Sequence, residues 1–240
     1  SLRFFPEGGQ LVEGLTSQIA FKAESKDEGN IQLSGTLYTK EGQEITSFET
    51  LHDGMGVFEY TPSTAPAIAK VHFQGKKYEF TLPKALSSGY VLKVDTNAGA
   101  VSVTVSCNAT TPQDALAVFI SHQGRPYAYK LIHCQANEPQ HFTVLSRKLP
   151  PGIIQISLLN RAGNTLCDRF VFSSPHAPLQ ITLKGLQEIY APYAPIRCEL
   201  QLNNAIGEPI SGKLSVSIRD AVRSDYMEYD NNIFTDLLLT

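Results

Sequence analysis

Tryptophan is absent from this chain of 240 residues, and methionine (2) and cysteine (4) are scarce. Without Trp, the strongest stacking ring for a sugar platform is gone, which lowers the prospect of carbohydrate recognition. No stretch reaches 18 consecutive apolar residues, so no membrane-spanning helix is predicted. The N-terminus lacks a basic segment followed by an apolar one, so no signal peptide is predicted either. Charge of one sign is also missing: 20 basic against 23 acidic residues give a formal net charge of -3. That leaves no electrostatic footprint for nucleic acid or an anionic bilayer. Catalytic signatures are wanting as well, with no G-x-S-x-G elbow, P-loop or H-E-x-x-H. The histidines at 52, 72, 122, 133, 141 and 176 are scattered, and none lies two or four residues from another, so they are predicted to be solvated or singly hydrogen-bonded. Cys107, Cys134, Cys167 and Cys198 show no C-x-x-C spacing, which speaks against zinc or dithiol redox chemistry. Cys107 and Cys198 fall on the apolar side of their alternations, where a free thiol acts as a small hydrophobe. Disulfides stay open, because four cysteines do not fix a connectivity.

What the chain has is alternation. Ile19, Phe21 and Ala23; Val101, Val103, Val105 and Cys107; Leu116, Val118 and Ile120; and Ile154, Ile156 and Leu158 each occupy one parity of a short run, the signature of a half-buried strand. The same reading makes apolar stripes of Tyr127, Tyr129 and Leu131, and of Leu166, Phe170 and Phe172. Turn residues punctuate these runs at Pro6-Glu7-Gly8-Gly9, Asp53-Gly54-Met55-Gly56, Gln74-Gly75 and Gln123-Gly124. With 42% hydrophobic residues the chain can fill sizeable cores. Short strands at this spacing predict an all-β protein of tandem immunoglobulin-like sandwiches, each of about seven strands.

Alternation stops at residues 84–89 and again at 173–178, where two prolines interrupt pairing. The predicted units are 1–86 and 87–175, both complete sandwiches, and 176–240, a partial one. In the third, residues 196–203 and 213–219 are predicted to pair as a hairpin across an Asn203-Asn204-Ala205-Ile206-Gly207 turn. Asn231 or Asn232 then caps a short C-terminal helix bearing Ile233, Phe234, Leu237 and Leu238 on one side. A sheet so small leaves an apolar face open, so self-association through the third unit is expected.

Four segments, taken in order, carry a family likeness. They are Phe4-Phe5-Pro6-Glu7-Gly8-Gly9 with residues 15–22; Leu51-His52-Asp53-Gly54-Met55-Gly56 leading to Phe58 and Pro62; Leu149-Pro150-Pro151-Gly152 ahead of Arg169-Phe170-Val171-Phe172; and residues 190–220. Together they resemble the macroglobulin-like modules of the alpha-2-macroglobulin superfamily, in the variety found in large Gram-negative cell-envelope proteins where such modules precede a TonB-dependent-receptor-type plug region. The resemblance implies macroglobulin-like sandwiches, a periplasmic or outer-membrane-associated setting, and a scaffolding or binding role. The chain, opening directly on strand-like residues, is expected to be part of a longer protein that carries the targeting signal. Two departures stand out. Where such modules often read Tyr-x-Pro-Arg-Glu, this chain has Tyr190-Ala191-Pro192-Tyr193-Ala194. The reactive thioester of protease-trapping members needs Cys-Gly-Glu-Gln, and only Cys198-Glu199-Leu200-Gln201 has that spacing. On an alternating strand residues three apart face opposite sides, so no thioester is expected.

One polar cluster remains, at residues 219–230. Asp220, Asp225, Glu228 and Asp230 offer oxygens to calcium, and Tyr226 and Tyr229 offer faces to a sugar or peptide. The cluster lacks the residue order of a calcium loop, and an acidic solvated connector explains it as well. The expectation is therefore a non-catalytic structural or protein-interaction fragment, with no cofactor and with a protein or peptide partner in the cell envelope. The rival is a carbohydrate- or peptide-binding adhesin module. Direct membrane insertion and nucleic-acid binding are not expected.

Overall fold

The alternating run at 17–25 becomes the central strand of the first sheet. The structure is a computed structural model and describes all residues except 98, 137, 175–178, 188, 205, 217–235, 237 and 240. The chain divides into two units, Ser1–Ser173 and Ser174–Thr240. In the first, β2 (Ser17–Ser25) pairs antiparallel with β1 (Leu2–Pro6), with β6 (Met55–Tyr60) and, through its last two residues, with β3 (Gly29–Asn30). A second sheet runs in the order β5 (Glu44–Glu49), β4 (Ser34–Tyr38), β7 (Ile68–Phe73), β8 (Lys76–Thr81). The inward parity of each strand meets in one core: Ile19, Phe21 and Ala23 from β2 face Leu37, Phe48, Ala69 and Val71. At its centre four rings interlock, Phe21 edge-on to Phe48 with centroids 5.0 Å apart and Phe48 stacked on Phe58 at 5.1 Å, with Phe4 edge-on to both Phe48 and Phe58.

A second sandwich follows. One sheet has the order β13 (Gln140–Leu145), β10 (Ala100–Cys107), β9 (Tyr90–Asn97), and the other β12 (Arg125–His133), β11 (Ala115–His122), β14 (Gly152–Leu159), β15 (Thr165–Ser173). Its core joins Val101, Val103, Val105 and Cys107 to Leu116, Val118, Ile120, Ile154, Ile156 and Leu158, the parities read from the sequence. Two-residue turns set register at two hairpins: Gln74-Gly75 joins β7 to β8, and Gln123-Gly124 joins β11 to β12. Both residues of each turn have positive φ, the backbone that matches the right-handed strand twist. Asp53-Gly54, between the bridged residues His52 and Met55, does the same ahead of β6.

The two sandwiches are pinned together. Residues 84–89 do not stand free: a parallel bridge joins Val12 and Leu86, the Leu86 amide donates to the Leu11 carbonyl (2.8 Å), and Asn108 Nδ2 donates to the carbonyls of Ser87 (2.8 Å) and Glu13 (3.1 Å). Lys93 Nζ reaches Glu59 Oε1 at 3.3 Å. The decisive contact is Glu7, whose side chain is 3% exposed. Its Oε1 accepts from Arg169 Nε at 2.8 Å and from the backbone amide of Val94 at 3.2 Å. β9 is the last strand of its sheet, so this carboxylate pairs an amide that points away from the ladder. Glu7 is thus an edge cap as well as an ion-pair partner.

In the second unit, β16 (Gln180–Lys184) pairs antiparallel with β17 (Glu199–Asn203). This corrects the predicted hairpin of 196–203 with 213–219. The Asn204–Gly207 turn forms, with Gly207 at φ +84° and the Ile210 amide bonded to Leu202 O, but residues 211–216 carry no strand and 217–219 lie outside the described residues. Alternation fixes the side each residue faces and leaves the partner open. Ile181 lies opposite Leu202 and Leu183 opposite Leu200, and of these four only Leu202 is buried. Of the predicted helix, Asp236, Leu238 and Leu239 are described and are helical; Asn231, Asn232, Ile233, Phe234 and Leu237 lie outside the described residues.

Candidate functional site

Two stripes expected inside the second sandwich lie outside it, save Leu166, which packs on the core. On β12, Tyr129 is 74% and Leu131 72% exposed, while Ile132 and Cys134 are buried in their place. On β15, Phe170 is 59% exposed and Phe172 is also exposed, while Cys167 is buried and Val171 packs on the core. Each inversion has a cause. On β12 both parities contain apolar residues, and ring size favoured the wrong one. Tyr127 is moreover the extra residue of a β-bulge, since Ile120 faces Ala128 and Ser121 faces Pro126. On β15 the inward parity includes Arg169, a charge the alternation assigns to solvent. Glu7 receives that guanidinium at the sandwich edge, so its neighbour Phe170 and then Phe172 take the outer face.

The outcome is an aromatic outer face across β12-β11-β14-β15. In register, Tyr129 lies opposite Phe119, Phe119 opposite Ser157, and Ser157 opposite Asp168; the next rows bring Gln155 beside Phe170 and Ile153 beside Phe172. A thin polar seam crosses it, with Gln155 Nε2 donating to Asp168 Oδ2 at 3.3 Å. His122 closes one end: its Nδ1 lies 2.8 Å from the Ile153 carbonyl, and its ring meets that of Tyr127 edge-on at 6.2 Å. Large apolar side chains grouped on one exposed face mark an interaction surface, whereas the same residues scattered singly would not.

A concave region lies on the first sandwich, a cavity of about 580 Å³ over β5-β4-β7-β8. Cross-strand pairing sets Ser47, Thr36, Lys70 and Glu79 in one row. Lys70 Nζ is 3.2 Å from Glu79 Oε1 and sits 5.2 Å from the Tyr38 ring centroid, so its charge is already engaged.

The residues singled out from sequence fare differently. Asp220, Asp225, Glu228, Asp230, Tyr226 and Tyr229 lie outside the described residues. Among the described residues, no three His, Cys, Asp or Glu side chains converge as a metal site requires. Cys198, expected on an apolar side, is exposed. It lies one residue before β17, where the small sheet buries little. Gln201 accepts from Lys184 Nζ at 2.6 Å and donates to Asn203 Oδ1 at 3.3 Å. Cys107, Cys134 and Cys167 are buried. Burial pushes the Cys134 thiol up to about 12, with a hydrogen bond to the Cys107 thiol adding to it, and burial pushes Cys167 up to about 11, with Asp168 adding. The Glu7–Arg169 contact escaped the sequence reading, which took Glu7 as a turn residue. Its partner is 162 residues away, and no local signal links the two.

No family model and no curated protein matches the chain. Among solved structures, the native conformation of Escherichia coli alpha-2-macroglobulin is similar at 12% identity and TM-score 0.25, over 87% of this chain and 17% of that one. A β-glucuronidase from Ruminococcus gnavus, in complex with D-glucaro-δ-lactam, is similar at 13% identity and TM-score 0.23, over 81% of this chain and 38% of that one. The chain therefore spans a small part of either, and neither superposition is close enough to carry a functional reading.

Proposed function

We propose that the chain is a non-catalytic structural and protein-interaction fragment of a larger cell-envelope protein, of the macroglobulin-like type and without a thioester. The observation that carries the interaction role is the outer face of the second sandwich, where Tyr127, Tyr129, Leu131, Phe170 and Phe172 stand exposed on a sheet anchored by a filled core. Rigid rings on a rigid sheet lose little entropy when covered, which suits a protein or peptide partner. The joint at Glu7 supports the scaffolding part, because two sandwiches held by an ion pair and several backbone bonds present such a face in a fixed orientation. The macroglobulin-like assignment and the periplasmic or outer-membrane-associated setting rest on the four sequence segments quoted above. The absence of a thioester rests on the missing Cys-Gly-Glu-Gln segment, and the exposed Cys198 and occupied Gln201 side chain agree with it.

The rival adhesin reading draws on the polar seam of Gln155 and Asp168 beside aromatic rings, a combination that sugars also use. Peptide-display selection and a glycan array, each run on the full chain and on a Tyr129→Ser/Phe170→Ser variant, separate the two. Apolar extended peptides that bind the parent and not the variant support the proposal. Micromolar glycan binding lost in the same variant, or peptide binding indifferent to it, overturns it. Turnover of a broad substrate panel, abolished by one point substitution, would refute the non-catalytic reading.

A further inference from the structure

Three of the four cysteines gather in one core. Cys107 is the last residue of β10, in the sheet β13-β10-β9, and Cys134 follows the last residue of β12, in the opposite sheet. Both are buried in the second sandwich. Cys134 Sγ lies 3.9 Å from the carbonyl of Val105, two residues before Cys107 on the same inward parity, so the Cys134 thiol stands at the end of β10 that carries Cys107. Cys167 occupies the same core, where its thiol donates at 3.3 Å to the carbonyl of Tyr90, the β9 residue opposite Cys107. Cys198 is exposed in the other unit. The Cys134 thiol reaches β10 itself whereas that of Cys167 is held on β9, which singles out Cys107 and Cys134 among the six pairs that four cysteines allow.

We propose that Cys107 and Cys134 are an oxidisable pair that closes as a disulfide across the two sheets of the second sandwich. The oxidant is a disulfide of the glutathione class. One thiolate attacks its S–S bond and releases one reduced thiol. The second thiolate then attacks the mixed disulfide, forming the Cys107–Cys134 bond and releasing the other. The pair loses two electrons and two protons, and the oxidant becomes two thiols. Both thiols lie out of water in the folded core, and burial pushes that of Cys134 up, so exchange runs while the core is open, during folding. Once formed, the bond closes a loop of roughly 28 residues, counted from 107 to 134, and restricts the unfolded chain accordingly.

The test refolds the full chain from denaturant in glutathione buffers of graded potential, then alkylates in denaturant and maps the peptides by mass. The expected result is two alkylated thiols instead of four, a mass lower by about 2 Da before alkylation, and one linked peptide pair joining Cys107 to Cys134. Cys167→Ala still forms it, and Cys107→Ala and Cys134→Ala do not. The oxidised chain is expected to melt about 10 °C above the reduced one. Four free thiols at every potential, or a predominant link through Cys167 or Cys198, overturns the proposal. The parent chain decides the matter even where a variant fails to fold.

Discussion

Replacing Glu7 by alanine removes one side chain and leaves two donors behind. The Val94 amide, on a buried strand position, loses its acceptor, which costs about 1–3 kcal/mol for an unpaired buried donor. Arg169 loses its carboxylate, but its side chain is 36% exposed and rehydrates, so this part is discounted to about 0–1 kcal/mol. The sum is centred near 2–3 kcal/mol. Spread over a unit the size of Ser1–Ser173, it lowers the melting temperature by roughly 5–10 °C. Glu7→Gln keeps one acceptor oxygen and is expected to lose about half as much. Scanning calorimetry of the full chain reads the shift, and amide exchange reads the mechanism, because Val94 loses protection in Glu7→Ala and keeps most of it in Glu7→Gln. A double-mutant cycle with Arg169→Ala returns a coupling of about 1 kcal/mol. Melting within about 1 °C of the parent, with Val94 protection unchanged, would refute the edge-cap reasoning.

Gly56→Val is expected to destabilise the first sandwich by about 1–3 kcal/mol in urea denaturation while the second sandwich keeps its core; a β-carbon there would lie 2.4 Å from the Glu49 carbonyl and 2.5 Å from the Phe21 ring, and unchanged denaturation would contradict it. Under reducing conditions stability is expected to fall as pH rises above about 9. A thiol whose pKa is raised by folding contributes fully below its ordinary value and loses that contribution as pH climbs toward about 11 for Cys167 and about 12 for Cys134. A Cys134→Ala/Cys167→Ala variant should flatten that slope in pH-dependent denaturation, and an identical slope would be evidence against it. Brief maleimide treatment of the reduced native chain is expected to modify Cys198 well ahead of the three buried cysteines, and peptide mapping that finds Cys107 first would contradict the core placement.

The cores were legible where one parity held an unbroken run of apolar residues, as on β2, β10, β11 and β14, even though Phe119 and Ile153 stand on the other parity of the last two. Legibility failed on β12 and β15 because both parities there carry something that a core can accept. Val171 and Cys167 fill the inner side of β15 as well as Phe170 and Phe172 would have, and what decides between them is a carboxylate near the N-terminus. A sequence window sees an arginine and assigns it to water; only the fold supplies its partner. The hairpin of the second unit failed for a related reason, since β17 presents the same alternation to any neighbour and the chain gives it β16. The turns were read more securely. Gln-Gly and Asp-Gly pairs dictate backbone angles locally, and those at 53–54, 74–75 and 123–124 adopt them.

The span of the Glu7 contact has a consequence for the order in which the protein is made. Glu7 leaves the ribosome 162 residues before Arg169. At about 5–20 residues per second that is a wait on the order of 10–30 s. The hairpins at Gln74-Gly75 and Gln123-Gly124 close in roughly microseconds once their strands emerge, so both sandwiches assemble most of their ladders while the ion pair is still impossible. During that interval the outer edge of β9 can be capped by Glu7, but β15 has not arrived to cover it. A nascent chain halted between Asn97 and Thr165 therefore carries a finished first sandwich beside an unfinished second one with an open strand edge, and this is the stage of synthesis at which a chaperone has most to protect.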